Sequence, residues 1–234
     1  MTLQAIIFGS IGTLTETSDL QRAAFNAAFA ENGLGWHWSA EVYQHLVAEG
    51  TSGGEARIAA FAADRGEPPV DSAMLHSRKS ALFQTAMAAN GLRPNAGVTE
   101  LIAEARAAGV RIAMASTTSA RNITAMFAAT APDLSAAMFD VVTSADSVTR
   151  GKPAPDVYFA VLAQLGVDAD AVVAIEDTIQ SAASPRAAGI ATIVVPGAIA
   201  LQQDFGRLPV AKSVKQFGGL AAFRALLADA TAPV

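Results

Sequence analysis

Residues 5–14 read Ala5-Ile6-Ile7-Phe8-Gly9-Ser10-Ile11-Gly12-Thr13-Leu14. The apolar part of this stretch, 5–8, is continuous rather than alternating, which is typical of a strand buried on both faces of a parallel sheet. A glycine follows the apolar run directly, and Gly-Thr-Leu closes the stretch. We therefore predict a buried first strand that leads into a loop.

Three further apolar runs of the same kind occur after residue 110. They are residues 111–115, 172–175 and 192–195. A helical pattern that ends at a glycine separates these runs from one another and from the preceding segment: 98–108, 156–165 and 179–188. Repetition of helix, glycine and apolar strand predicts an α/β fold with a doubly wound, mostly parallel sheet.

The segment between the first strand and residue 98 has a different pattern, because it contains helical periodicity and no convincing strand. The predicted helices are 20–32, 39–48, 55–65 and 72–90, with Asp19 and Ser39 as N-caps. An all-helical insertion accounts for this pattern. We predict an α/β core formed by residues 1–16 and 93–234, and a helical domain formed by residues 17–92.

Composition excludes several classes of function. The chain has 234 residues, of which 52% are hydrophobic, and a net charge of −5 with no basic run. These values predict a globular protein that binds neither nucleic acid nor an anionic membrane. The absence of cysteine excludes disulfides, thiol catalysis and Cys-based zinc sites. With no targeting signal and no apolar stretch of about 20 residues, a cytoplasmic location is expected.

Three motifs in the second half resemble those of the haloacid dehalogenase (HAD) superfamily. Gly151-Lys152-Pro153-Ala154-Pro155-Asp156 resembles motif III, and the acidic pair Glu176-Asp177 after an apolar strand resembles motif IV. Ser116-Thr117 at the end of residues 112–115 resembles motif II. Residues 8–14 resemble motif I, and the helical insertion follows them as a C1 cap does. The order and spacing of the motifs fit over essentially the whole chain.

The resemblance implies a Rossmannoid core in which the functional residues meet beyond the carboxyl ends of the strands. By this resemblance, Lys152 and Ser116 belong to the catalytic machinery and contact phosphate. Glu176 and Asp177 would offer hard oxygens to Mg²⁺. The positions expected to bind substrate are Gly12, Thr13, Glu16, Arg57 and Thr117.

Motif I departs from the family at the two positions that carry its chemistry. The family has a nucleophilic Asp and an acid/base Asp there, and this chain has Gly9 and Ile11. Neither side chain can attack phosphorus or carry a proton, so aspartyl-phosphate catalysis is expected to be lost. Because the family's nucleophile is also a metal ligand, Mg²⁺ binding is expected to be weakened or lost. Ser10 would point to the opposite side of the strand end and does not replace the nucleophile.

The helical segment resembles that of CbbY-type sugar-phosphate phosphatases, which are relatives of β-phosphoglucomutase. The resemblance lies in residues 12–17, 21–26, 36–38 and 51–58. It implies that the cap near Gly53-Gly54 binds the distal phosphate or sugar, with Arg57 as its remaining cation. Gln21 and Glu55 replace a His and a Lys that are usual in the family. The implied ligand is a phosphorylated metabolite or inorganic phosphate.

Several alternatives stay open from the sequence. The first is a catalytically silent HAD-like protein that still binds a phosphorylated ligand or a protein partner. The second is an active Mg²⁺-dependent phosphohydrolase that uses Glu16 or a metal-bound water. The third is a vestigial site, and the fourth is that Gly9 and Ile11 are not native to the gene. The three histidines, His37, His45 and His76, lack metal-ligand spacing, which favours surface or packing roles.

Overall fold

The computed structural model describes residues 2–9, 11–49, 53–206, 208–210, 219–221 and 224. Its sheet has five parallel strands in the order β3-β2-β1-β4-β5. The strands are β1 (Ala5–Phe8), β2 (Arg111–Met114), β3 (Val141–Val142), β4 (Val172–Glu176) and β5 (Ala191–Val194). The parallel α/β sheet that the apolar runs predict is therefore confirmed.

Helices cover both faces of the sheet and form the insertion after β1. They are α1 (Ile11–Leu14), α2 (Ser18–Glu31), α3 (Ala40–Ala48), α4 (Gly54–Asp64), α5 (Ser72–Asn90), α6 (Val98–Ala107), α7 (Ala120–Thr130), α8 (Asp156–Leu165) and α9 (Ile179–Ala187). Within the described residues, no helix is both long enough and apolar enough to cross a bilayer.

The two faces of β1 show why its apolar run is continuous. Ile6 and Phe8 pack into the hydrophobic cluster that contains α6 and α7, whereas Ala5 and Ile7 pack into the cluster that contains α8. Successive side chains of a strand point to opposite faces, so a strand between two helical layers needs apolar residues at every position.

Three elements beyond the first strand, α1, β3 and α7, have no counterpart among the sequence predictions. α1 is a single helical turn at Ile11–Leu14, where the sequence predicts a loop. β3 has two residues at the edge of the sheet, which is shorter than the runs on which a strand prediction depends. α7 begins after Ser119, whose side chain accepts a hydrogen bond from the Asn122 amide as an N-cap. The Ser-x-x-Asn sequence before Ile123 and Phe127 is the signal that identifies this helix.

The predictions for the helical segment are confirmed in outline and corrected at two ends. Ser39 caps α3 as predicted, because its side chain accepts from the Val42 amide. Asp19 is not an N-cap, since α2 begins at Ser18 and Asp19 lies in its first turn. An acidic side chain is favourable there because it faces the positive end of the helix dipole.

The aromatic residues of the insertion form a hydrophobic cluster of their own. Trp38 lies at its centre, with ring centroids 4.6 Å from Phe25 and 4.9 Å from Phe29. Trp36 belongs to the same cluster, so both tryptophans form part of the core of the insertion. The division into a core (1–16 and 93–234) and a cap (17–92) stays a prediction, because α5 also contributes Phe83 to the cluster beneath the sheet.

The strand order determines where a site can form. The chain runs outward from β1 to β3 and then returns to place β4 on the other side of β1. In open α/β sheets, ligands bind at the carboxyl end of the strands where this reversal occurs. Gly9 directly follows β1 at that edge, and Glu176 ends β4 beside it.

Candidate functional site

The loop after β1 is held by backbone hydrogen bonds and by one side chain. The Gly9 amide donates to the Ile175 carbonyl at 2.8 Å. The Asn95 side-chain amide donates to the Gly12 carbonyl at 2.8 Å, and the Asn95 backbone amide donates to the Leu14 carbonyl at 2.8 Å. The loop is thus tied to the segment that leaves the helical insertion. Ser10 lies outside the described residues.

A buried ion pair lies directly beneath this loop. Lys152 Nζ is 2.6 Å from Glu176 Oε1, and it also donates to the Gly9 carbonyl oxygen. The Tyr158 hydroxyl donates to the same Glu176 oxygen at 2.6 Å. Burial, with the adjacent carboxylate, raises the pKa of Tyr158 well above its usual value, so the hydroxyl keeps its proton and acts as a donor.

The position of the Glu176 carboxylate depends on the glycine at position 9. A β-carbon built on Gly9 would overlap the carboxylate of Glu176. The carboxylate therefore occupies the volume that any side chain at position 9 would need. Gly12 has a similar relation to Asp177, because a β-carbon built on Gly12 would overlap Asp177 Oδ2.

A cavity of about 410 Å³ lies between this edge of the sheet and the helical insertion. Its basic lining residues are Arg57, His76, Lys79 and Lys152. Asp177 is the one acidic side chain among the described residues that line the cavity, and its Oδ1 accepts from the Ser181 hydroxyl at 3.2 Å. The excess of basic groups makes this cavity suited to an anion.

A set of small polar groups lines the cavity beyond β2. Ser116 and Thr117 lie there as predicted, and Thr118, Ser119 and Asn122 extend the set. The Ser116 hydroxyl accepts from the Thr118 amide at 3.2 Å, and the Asn122 side-chain amide donates to the Thr118 hydroxyl at 3.0 Å. These contacts fix hydroxyl and amide groups that can donate to a bound oxyanion. The sequence signal for the additional residues is the N-cap pattern of α7.

The opposite wall of the cavity comes from the insertion. Arg57 in α4 lies over the Tyr43 ring, 5.7 Å from its centroid. His76 in α5 also lines the cavity, and its role there stays a prediction. Its ring lies so close to Gly54 that a β-carbon there would be 2.6 Å from His76 Cδ2. Burial, assisted by the charge of Lys79, lowers the pKa of His76 and favours the neutral ring.

Lys79 is the functional candidate that the sequence predictions omit. It is only 4% exposed, and its Nζ donates to Gln21 Oε1 at 3.0 Å. The ammonium lies 4.5 Å from the Phe25 ring centroid and 4.8 Å from that of Phe83. Burial, with a contribution from Arg57, lowers the pKa of Lys79 to about 7. The sequence feature that could have identified Lys79 is its position in the buried stripe of α5, whose other members are Leu75, Phe83 and Met87.

Comparisons with known proteins decide the family. A model of the haloacid dehalogenase-like hydrolases matches residues 3–189. The chain belongs to this family. It is 38% identical over 235 residues to the protein CbbY of Cereibacter sphaeroides, covering 99% of each chain.

Solved structures of a CbbY protein superpose closely on this member of the HAD-like hydrolases. A mutant of CbbY from Rhodobacter sphaeroides in complex with xylulose-(1,5)bisphosphate matches with a TM-score of 0.87 and 36% identity, over 94% of this chain and 99% of that one. The phosphate complex of CbbY from the same organism matches with a TM-score of 0.87 and 36% identity, over 95% of this chain and 100% of that one. The HAD fold expected from the motifs is confirmed.

The described structure brings most of the predicted site residues of this HAD-like hydrolase together, with three exceptions. Glu16 is absent from the described lining of the cavity: its oxygens accept from the Ser18 amide at 2.7 Å and from the Ala198 amide at 2.8 Å. These contacts join Glu16, where the chain enters the insertion, to the backbone at Ser18 and Ala198. Thr13 is fully buried in α1, and Glu176 lies behind the cavity wall.

The HAD family implies a magnesium ion, and the residues present do not fit one. Mg²⁺ requires near-octahedral oxygen ligands. Position 9 supplies no carboxylate, and Lys152 and Tyr158 engage one oxygen of the fully buried Glu176. Among the residues that the structure describes, no group of three or more His, Cys, Asp or Glu side chains could hold a metal ion. The assignment of Glu176 and Asp177 as a pair of metal ligands stays a prediction.

Proposed function

We propose that this protein binds a phosphorylated sugar or a similar phosphorylated metabolite in the cavity, without forming an aspartyl-phosphate. The observation that carries the proposal is the location of the Glu176 carboxylate. It lies in the volume beside Gly9 and is paired there with Lys152, at the edge of a cavity whose polar lining consists mostly of hydroxyl and basic groups. The site has groups that bind an anion and lacks the family's nucleophile.

The two walls of the cavity offer separate contacts to a ligand. On the sheet side, Lys152 and the Ser116 hydroxyl can neutralise and donate to phosphate oxygens. On the insertion side, Arg57 offers positive charge, and Lys79 offers an amine whose pKa burial lowers to about 7. A ligand with anionic groups at both ends suits this arrangement. The complexes of related CbbY proteins with phosphate and with xylulose-(1,5)bisphosphate support this class of ligand.

The chemistry available to the bound ligand is limited by which carboxylates face it. Glu176 cannot act as a nucleophile from its position because Lys152 and Tyr158 hold the carboxylate behind the wall. Asp177 faces the cavity but lies against Gly12 and accepts from Ser181. For scale, removing the nucleophile of a serine protease costs about a millionfold in turnover. We expect no phosphate release above the uncatalysed rate.

Calorimetry with a parallel assay for released phosphate tests this function. The probes are inorganic phosphate, xylulose 1,5-bisphosphate and a panel of sugar monophosphates, each titrated in EDTA and again with Mg²⁺. We expect binding in EDTA and no turnover in either buffer. Arg57→Gln should weaken bisphosphate binding by about tenfold, or 1.4 kcal/mol. Arg65→Gln is the matched control, because Arg65 follows the same helix but lies over the Phe61 ring instead.

Two outcomes would contradict the proposal. If none of the probes binds, the cavity is vestigial and the anion site is rejected. If phosphate is released in Mg²⁺ and the release disappears in Asp177→Ala, the protein is a working hydrolase with an altered mechanism. Comparison with Gly9→Asp/Ile11→Asp then shows whether the missing carboxylates alone account for any lack of turnover.

A further inference from the structure

The cavity contains a buried amine that phosphate binding does not require. Lys79 projects from the buried stripe of α5 into the wall formed by the insertion, where it is almost completely shielded from water. Its partners in the described part of the chain are the neutral amide of Gln21 and the faces of Phe25 and Phe83. Such an apolar setting is unfavourable for a lysine that only binds phosphate. It removes water from the charged amine before the ligand arrives, and this desolvation costs free energy.

This setting is the one that makes an amine nucleophilic. A lysine in a hydrophobic pocket, beside another cation, loses its proton more easily and can then attack carbonyl carbon. Here the hydrophobic pocket consists of the two phenylalanine rings, and the second cation is Arg57. Burial lowers the pKa of Lys79 to about 7, so a substantial fraction of the amine is neutral near neutral pH.

We propose that Lys79 captures the carbonyl group of an open-chain aldose or ketose phosphate as a reversible imine. This inference rests on the proposed function, because it assigns the ligand's phosphate to the sheet side of the same cavity and its carbonyl carbon to the insertion side. It narrows the substrate class to phosphorylated sugars that have a free aldehyde or ketone. Sugars locked as glycosides and phosphorylated polyols are excluded from the covalent step.

The reaction balances without a redox partner. The Nζ lone pair attacks the carbonyl carbon, a C–N bond forms, and the C=O π electrons move to oxygen. The nitrogen gives up its two protons in the course of the reaction, the oxygen takes up two, and water leaves as the C=N bond forms. His76 lines the cavity one helical turn before Lys79 and its lowered pKa favours a neutral ring, so it can relay these protons.

Borohydride trapping with a matched pair of ligands tests the proposal. The full-length protein is incubated with dihydroxyacetone phosphate, reduced with sodium borohydride, and analysed by intact mass and peptide mapping. Glycerol 3-phosphate has an alcohol in place of the ketone and serves as the control ligand. The chain has only four lysines, Lys79, Lys152, Lys212 and Lys215, so the label can be assigned directly in the unmodified protein.

We expect one reduced adduct, on the peptide that contains Lys79, and its yield should fall by about tenfold or more in Lys79→Arg. This variant keeps the positive charge, and thermal melting shows whether it folds. Absence of an adduct, or label spread equally over the lysines, overturns the imine. If glycerol 3-phosphate binds in calorimetry while trapping fails, only this inference is rejected. If trapping succeeds but added phosphate does not compete with it, the imine stands and the phosphate site of the proposed function is rejected.

Discussion

Gly9 and Glu176 form a coupled pair of positions at the residue scale. A fully buried carboxylate loses most of its hydration, and this cost is offset only where well-placed partners remain. Lys152 and Tyr158 provide those partners for Oε1, whereas Oε2 is buried without a hydrogen-bond partner among the described residues. The space for the carboxylate exists because position 9 has no β-carbon. A side chain introduced at position 9 is therefore expected to displace the Glu176 carboxylate and so to disturb its ion pair with Lys152.

A substitution series at these positions tests the coupling. Gly9→Ala is expected to lower the free energy of unfolding by about 1–3 kcal/mol, because the new methyl group displaces the Glu176 carboxylate. In Gly9→Asp/Glu176→Ala, a carboxylate at position 9 replaces the one removed. The loss of stability in this double variant should be smaller, by about 1 kcal/mol or more, than the sum of the losses in Gly9→Asp and in Glu176→Ala. Guanidinium denaturation measures each value.

Gly35→Ala is the control for this series, because a β-carbon there has no neighbour within 4 Å. Its stability should stay within about 0.5 kcal/mol of the unmodified protein. Additive losses in the Gly9 and Glu176 variants would show that the two positions do not share the volume beside β1.

The ionisation of Lys79 predicts a pH dependence of stability. Its pKa is about 7 in the folded protein, against about 10.4 in an unfolded chain. Between these values the unfolded chain binds more protons, so the free energy of unfolding rises with pH, by at most about 1.4 kcal/mol per pH unit. This contribution is full above pH 10 and is lost as the pH falls to about 7. Lys79→Met should flatten the rise.

Urea titrations of both proteins at pH 7, 8 and 9 measure this difference. The groups that face Lys79 are Gln21 from α2, Arg57 from α4 and His76 from α5. Arginine stays charged over this range, and the lowered pKa of His76 keeps its ring neutral. The difference between the two curves therefore belongs to Lys79. Parallel curves would show that the amine keeps its proton up to its ordinary pKa.

At the scale of single elements, a capping box stabilises the N-terminus of α9, which follows the acidic pair Glu176-Asp177. The Thr178 hydroxyl accepts from the Ser181 amide at 3.1 Å, and the Ser181 hydroxyl accepts from the Thr178 amide at 3.2 Å. This capping box pairs Thr178 with Ser181, four residues after Asp177. The helix begins at Ile179, where the sequence pattern predicts it, although Pro185 lies inside it. The capping box stabilises the first turn of α9, whereas Pro185 removes a backbone hydrogen bond inside the helix.

Thr178→Ala is therefore expected to lower the free energy of unfolding by about 1 kcal/mol. Thr85→Ala is the control, because Thr85 is an exposed residue inside α5 and caps nothing. Chemical denaturation of both variants measures the difference. If Thr178→Ala has no larger effect than Thr85→Ala, the helix does not depend on its capping box.

At the scale of the whole molecule, the insertion and the sheet share part of one hydrophobic cluster. Ala24 of α2 and Phe83 and Met87 of α5 belong to the cluster that also contains Phe8 of β1 and Phe127 of α7. Because the two parts bury apolar surface against each other, they should lose stability together.

Met87→Ala tests this coupling between the two parts. The fully buried side chain leaves a cavity, and the expected loss is about 2–5 kcal/mol. Hydrogen exchange should accelerate both in α2 and in α7. Met74→Ala is the control, because Met74 in the same helix is 43% exposed. Faster exchange in α2 alone would show that the insertion unfolds independently of the core.

Much of this architecture could be predicted from local patterns. The apolar runs that identify β1, β2, β4 and β5 are long enough to indicate buried strands. β3 could not be identified in this way, because an edge strand of two residues is stabilised by its neighbour β2 rather than by its own sequence. Ser116, Lys152 and Asp177 line the cavity as predicted, since the ends of parallel strands meet at one edge.

The sequence by itself determined that positions 9 and 11 carry no carboxylate and that the strands are buried on both faces. Both facts depend on residue type and on neighbours along the chain. Only the tertiary structure decided that Glu176 fills the volume beside Gly9, and that Lys79 faces the cavity from an apolar stripe. Their partners are distant in sequence: Gly9 for Glu176, and Gln21 for Lys79. Such contacts depend on how the helices and strands pack, because burial and charge act through space and not along the chain.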